Sequence, residues 1–205
     1  IDSEEDPALK CAAMKVMANC GNLPANAKEQ HKLVRVGGVA AVLAAGDNGT
    51  VPACVELLQH EHVGVQAGAA KILQVCSLTE AGRDEVVAAG AVKIMAQMVT
   101  AKHVAVRKNV TGALLSLAIS EPGKKQFHRL LGCTNLINRL SKETAPDVMQ
   151  NVIKIVTSMC CLPAARLELK NDGAADLLLQ IANNERNPTT RSVAKLARET
   201  VLWEP

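Results

Sequence analysis

Two stretches of this chain are near copies of each other. EHVGVQAGAAKIL, residues 61–73, and KHVAVRKNVTGAL, residues 102–114, lie 41 positions apart. Each reads charge, His, Val, small residue, Val, and each runs on into an apolar pattern of helical period. A chain that repeats at such an interval is not organised around one central core. Each unit covers its apolar face on the next, and the product is an elongated stack.

The repetition continues on both sides. Val65, Val106 and Val148 lie 41 and 42 residues apart, and each starts the same run of apolar positions at offsets 0, 4, 7, 8 and 11. The runs are Val65, Ala69, Ile72, Leu73, Cys76; Val106, Val110, Ala113, Leu114, Leu117; and Val148, Val152, Ile155, Val156, Met159. Leu9, Ala13, Val16, Met17 and Cys20 fit the same spacing. These offsets line one side of an α-helix. A second series is independent of the first: Gly49, Gly90, Gly132 and Gly173 follow at 41, 42 and 41. Apolar residues follow each glycine at offsets 4, 5 and 8, which makes the glycine a corner between two helices. Each unit therefore reads as a short helix, a middle helix after the glycine and a long helix.

The interior this predicts is thin. Apolar residues make up 48% of 205, yet there is no Tyr, one Phe and one Trp. Ala, Val, Leu, Ile, Met and Cys must fill closely packed helical layers, where a single large core leans on aromatics. The seven cysteines are odd in number and lack CxxC spacing. They read as reduced, buried small hydrophobes, which points to a reducing compartment, cytoplasm or nucleus. His62 and His103 share one slot at the start of a long helix, filled elsewhere by DPAL, APDV and NPTT. HEH at 60–62 is therefore a turn rather than a metal site. No run of eighteen apolar residues spans a membrane. A start at Ile1 suggests a piece of a longer chain or complex.

EVVAAGAVKIMAQMV and HVGVQAGAAKILQVCSL, in this phase, resemble the second-plus-third-helix text of the armadillo-repeat family. The resemblance covers residues 6–203 and implies an all-α, right-handed α-solenoid of three-helix repeats. We expect one solenoid over 1–205: a partial repeat at 1–20, then repeats at about 21–77, 78–118, 119–160 and 161–205. About 15 extra residues near 33–48 form an insertion.

No nucleophile elbow, phosphate loop, zinc-protease or dinucleotide motif occurs in a supporting context, so no enzyme, cofactor or metal is expected. What remains is a surface. At offsets 3, 6 and 10 of the long helices, beside the core, stand Ala12, Lys15, Asn19; Gly68, Lys71, Val75; Asn109, Gly112, Ser116; and Asn151, Lys154, Ser158. Armadillo proteins that bind nuclear localisation signals carry Trp and Asn at the second and third of these. Here Lys15, Lys71, Gly112 and Lys154 fill the Trp slots, and Asn survives only at Asn19. Lysines there repel basic peptides, so the resemblance is to scaffold members of the family. It implies a non-catalytic scaffold or adaptor whose concave face takes an extended, acidic protein segment. The expected contacts are Lys15, Asn19, Lys71, Arg107, Lys108, Asn109, Ser116, Asn151, Lys154 and Ser158. The alternative is a nucleic-acid-binding solenoid using the same basic stripe. The lack of aromatic platforms for stacking bases disfavours it, as does a mild net charge of +3.

Overall fold

The computed structural model describes residues 50–61 and 63–204. These form helices joined by short turns, with no strand among the described residues. In chain order they are α1 (Thr50–Leu57), α2 (Val63–Cys76), α3 (Glu80–Ala88), α4 (Ala91–Met98) and α5 (Val104–Leu117), followed by α6 (Glu121–Leu140), α7 (Pro146–Met159), α8 (Pro163–Asn171), α9 (Ala174–Asn184) and α10 (Pro188–Leu202). Among the described residues no helix is long and apolar enough to cross a membrane.

The long helices stack in sequence. α2 packs on α5, α5 on α7 and α7 on α10, while the shorter helices cover the layer's other side, with α4 on α5 and α6, and α9 on α10. The apolar offsets explain why. Val65, Ala69, Ile72, Leu73 and Cys76 of α2 are all buried, and so are the corresponding residues of α5 and α7. No large side chain dominates. Phe127 is the bulkiest of the fully buried ones, and the rest of that group are Leu, Ile and Met. The Leu, Ile and Met side chains among them each contribute roughly 1.5–3 kcal/mol on burial. The core is thus spread along the stack in similar portions.

Local signals set the helix starts. Thr79 and Ser120, 41 apart, cap α3 and α6 by accepting from the N–H of Gly82 at 3.1 Å and of Gly123 at 3.2 Å. Asn187 does the same for α10, and proline stands in the first turn of α6, α7, α8 and α10. His103 is the N-terminal flanking residue of α5, as its slot predicts, although its side chain makes no cap. His62 lies outside the described residues, as do Gly49, the insertion near 33–48 and the N-terminal run.

The glycine corners are not all alike. Gly90 and Gly173 are left-handed, at φ 76, ψ 11 and φ 77, ψ 21, directly ahead of α4 and α9. Gly132 has φ 68 and ψ 169 and kinks α6, which is two helices meeting at that residue. The cause is one extra residue. Thr79 to Gly90 is 11 positions and Leu162 to Gly173 is 11, but Ser120 to Gly132 is 12. The first half of α6 thus overruns its corner, and Gly132 keeps the positive φ of its counterparts but takes ψ 169 where theirs are 11 and 21.

Candidate functional site

The candidate surface is the layer of long helices, and its polar residues fall into three groups. Lys15 and Asn19 lie outside the described residues. Lys71, Lys108 and Lys154 are exposed. The others are partly or wholly taken up by the stack.

Arg107 is the clearest departure from expectation. The sequence places it among the expected partner contacts, one residue after a core valine, but its guanidinium is buried. Nε donates to Glu143 Oε2 at 2.9 Å and Nη2 to Glu143 Oε1 at 3.0 Å. Nη1 donates to the carbonyls of Ala101 and Lys102, both at 2.9 Å. Arg139 reaches the same carboxylate at 3.0 Å, and the N–H groups of Thr144 and Ala145 donate to it. Burial pushes the Glu143 carboxyl up. The Arg107 hydrogen bonds, those backbone donors and the charge of Arg139 outweigh it and hold the pKa below the usual carboxylate value. Arg107 is therefore a joint between consecutive units, with its guanidinium bonds made inside the stack. Ser116 is also buried and donates to the Gly112 carbonyl of its own helix at 3.2 Å.

The amides and the last serine tie each long helix to the one before. Asn109 Nδ2 donates to the Ala67 carbonyl at 2.8 Å. Its counterpart Asn151 donates to the Lys108 carbonyl at 3.3 Å and to Thr111 Oγ1 at 3.2 Å. Ser158 Oγ donates to the Ala118 carbonyl at 2.5 Å. Each satisfies a group at the helix interface, and each is worth about 1 kcal/mol net.

Between these ties the surface is cationic and small. Lys71 donates to Gln74 Oε1 at 3.2 Å, and Gln74 lies across Gly112, where an added Cβ would meet Gln74 Nε2 at 2.7 Å. Gly112 thus leaves room for a neighbour's amide in a slot that lysine fills on the flanking helices. Lys108 pairs with Asp147 of the next unit, both more than half exposed. Among the described residues no carboxylate pairs with Lys71 or Lys154.

Among the described residues, four of the five thiols lie inside the stack and do not add to this surface. Cys54, Cys76, Cys133 and Cys160 are buried and Cys161 is exposed, and none of the five is in a disulfide. Burial pushes Cys133 up to about 12 and Cys160 to about 11, where thiolate is scarce at neutral pH.

Solved structures with a similar arrangement include engineered and designed proteins. An engineered protein matches with a TM-score of 0.76 at 18% identity, over 98% of this chain and 95% of its own. A computationally designed armadillo repeat protein for modular peptide recognition matches at 0.74 and 14% identity, over 94% of this chain and 83% of its own. The chain has the armadillo-repeat fold. A designed armadillo repeat protein in complex with the peptide (KR)4 also matches, at 0.71 and 13% identity, over 97% of this chain and 95% of its own. No family model and no curated protein matches the sequence. In armadillo terms α2, α5, α7 and α10 are the long third helices, α4, the second half of α6, and α9 are the second helices that follow the corner glycines, and α1 is the second helix ahead of α2.

Proposed function

We propose that this armadillo solenoid is a non-catalytic scaffold that holds an extended, acidic segment of another protein along its third helices. One observation carries the reading. Lys71 and Lys154 occupy the same register on their helices, six residues after Val65 and Val148, and both are exposed without a paired carboxylate among the described residues. Lys15 stands in that register in the sequence, with Asn19 beside it. Stacked helices are spaced by about 10 Å, so an extended chain of a few residues reaches from one unit to the next. Asn109, Asn151 and Ser158 hold the helices in register and keep the lysines at fixed intervals. Peptide recognition by designed armadillo proteins supports a peptide as the occupant. The basic peptide held by one of them is the wrong charge for lysines in the central slots.

The test is titration of fluorescent acidic, neutral and basic peptides, and of single-stranded oligonucleotides, against the chain and a Lys71→Glu, Lys154→Glu variant. Exposed ion pairs contribute up to about 1 kcal/mol each, so the variant should bind an acidic peptide roughly five- to thirty-fold more weakly, with a flatter salt dependence. Unchanged binding would make these lysines a solvated face. Tighter binding of oligonucleotides than of acidic peptides would favour the nucleic-acid reading.

A further inference from the structure

The kink at Gly132 assembles a set of side chains that no repeat position requires. His128, Cys133 and Glu168 each offer one ligand atom, and these atoms lie within 4.8 Å of one another. His128 and Cys133 flank the kink in α6, while Glu168 comes from α8 of the next unit. Cys133 fills the slot after the corner glycine that Ala91 and Ala174 fill elsewhere, and all three are fully buried. His128 follows Phe127, whose counterparts by the cap spacing are Val86 and Leu169. The extra residue ahead of Gly132 changes what this corner needs. The second half of α6 starts after extended backbone, and the N–H groups of Cys133 and Thr134 turn toward Glu168 Oε1, at 2.6 and 3.4 Å. Gly132 makes room for this approach, since a Cβ there would lie 3.0 Å from that oxygen.

With Oε1 held by the backbone, Oε2 faces His128 Nε2 at 2.7 Å. A carboxylate fixed through one oxygen presents the other in a defined direction, which is how ligands of a metal are oriented by their surroundings. We propose that His128, Cys133 and Glu168 form a binding site for a divalent transition-metal ion of the zinc type, bridging two consecutive repeats. The donor set is one imidazole nitrogen, one sulfur and one carboxylate oxygen. Sulfur disfavours magnesium and calcium, and the nitrogen–oxygen pair disfavours copper(I); of the first-row dications that remain, zinc is the one most often held by a mixed nitrogen, sulfur and oxygen set with an open fourth position. Charge agrees: a thiolate and a carboxylate balance a dication, with the imidazole neutral. Binding forms bonds from the metal to Sγ, Nε2 and Oε2. It releases the thiol proton to solvent, and the proton that His128 Nε2 shares with Glu168 Oε2 is given up from Nε2 and regained at Nδ1 by exchange with solvent, which keeps the ring neutral. Tetrahedral coordination at about 2.0–2.3 Å sets the ligand atoms about 3.3–3.6 Å apart. The His128–Glu168 pair, at 2.7 Å, must therefore open by roughly 0.6 Å, and separations of up to 4.8 Å within the set must close by roughly 1.2 Å, through rotation of two partly exposed side chains toward the buried Cys133. The fourth position faces solvent, since His128 and Glu168 retain 27% and 31% of their side-chain exposure.

The experiment uses the whole chain, freed of metal with a chelator. Zinc uptake is measured by competition with a coloured chelator, and cobalt(II) is added separately to report sulfur ligation by a thiolate-to-cobalt absorption band. We expect one tight zinc, a cobalt–thiolate band and a melting temperature that rises with zinc. Cys133→Ser should abolish the band. His128→Asn and Glu168→Gln should each weaken zinc uptake at least ten-fold, and Cys161→Ser should leave all three readouts unchanged. Glu168→Gln keeps an oxygen for the two backbone donors, so its folding, checked by circular dichroism, separates loss of a ligand from loss of the cap. Absence of stoichiometric uptake by the native chain would overturn the proposal. So would a band and an affinity that survive in Cys133→Ser and His128→Asn.

Discussion

Removing the Glu143 carboxylate should cost this solenoid more than removing any exposed charge. Glu143 gathers bonds from Arg107 Nε and Nη2 and from Arg139 Nη2 at 2.9, 3.0 and 3.0 Å, and its side chain is fully buried. In Glu143→Ala the Nη1 of Arg107 keeps its two carbonyls, but its other bonds and those of Arg139 are lost, and two guanidinium groups remain with no counter-charge. Breaking a buried pair from one side costs about 3–5 kcal/mol. For a chain of this size that lowers Tm by roughly 6–20 °C. Glu143→Gln should cost less, because its amide oxygen still accepts. The exposed pair Lys108–Asp147 is the control, and Lys108→Ala should cost at most about 1 kcal/mol. Urea unfolding followed by circular dichroism gives all three values. The pH dependence is a second check. The folded pKa of Glu143 lies below the unfolded one. The contribution is therefore complete above the usual carboxylate range and lost as pH falls through the folded value. The gap between the native chain and Glu143→Gln should be flat near neutrality and close in acid. A loss in Glu143→Ala no larger than that in Lys108→Ala would refute the reasoning.

Two further outcomes follow from the corners and the thiols. Gly90→Ala meets nothing within 4 Å and pays only for left-handed backbone, about 1–2 kcal/mol. Gly132→Ala sits in a region open essentially to glycine and also crowds Glu168, so its midpoint in denaturant should fall further. Equal losses would show that the extended corner is not strained for other residues. At neutral pH a mild alkylating agent should modify Cys161 before Cys54, Cys76, Cys133 or Cys160, read by peptide mass spectrometry. Labelling of the buried four at the same rate would mean that the stack opens readily.

The helical layers were legible because their cause is local. The offsets from Val65, Val106 and Val148 and the spacing of Gly90, Gly132 and Gly173 depend only on the chain's own period. The joints were not, because their partners are 36 to 43 residues away. Arg107 sits next to Val106 and reads as a charge at the rim of an apolar stripe. Nothing near it announces that a glutamate in a turn, at Glu143, will fold over it. Asn109 and Asn151 look ready for a peptide backbone, yet their amides are used on the preceding helix. The 42-residue step to Gly132 was visible as a number. That it would extend the backbone there and draw in Glu168 required the neighbouring unit to be in place.

The joints between units are of two kinds, and the difference bears on how such a chain could change length. Asn109 and Asn151 share a bond at one register, each to the carbonyl of the equivalent residue on the helix before, so a whole unit could be duplicated or lost there and the new neighbours would still meet. The Arg107–Glu143 and His128–Glu168 joints occur once each among the described residues and are matched to their own partners. Exchanging the order of units would strand a buried arginine beside a neighbour with no acid to receive it. The repeats are interchangeable as shapes, but these two pairings make them addressed parts with one permitted order.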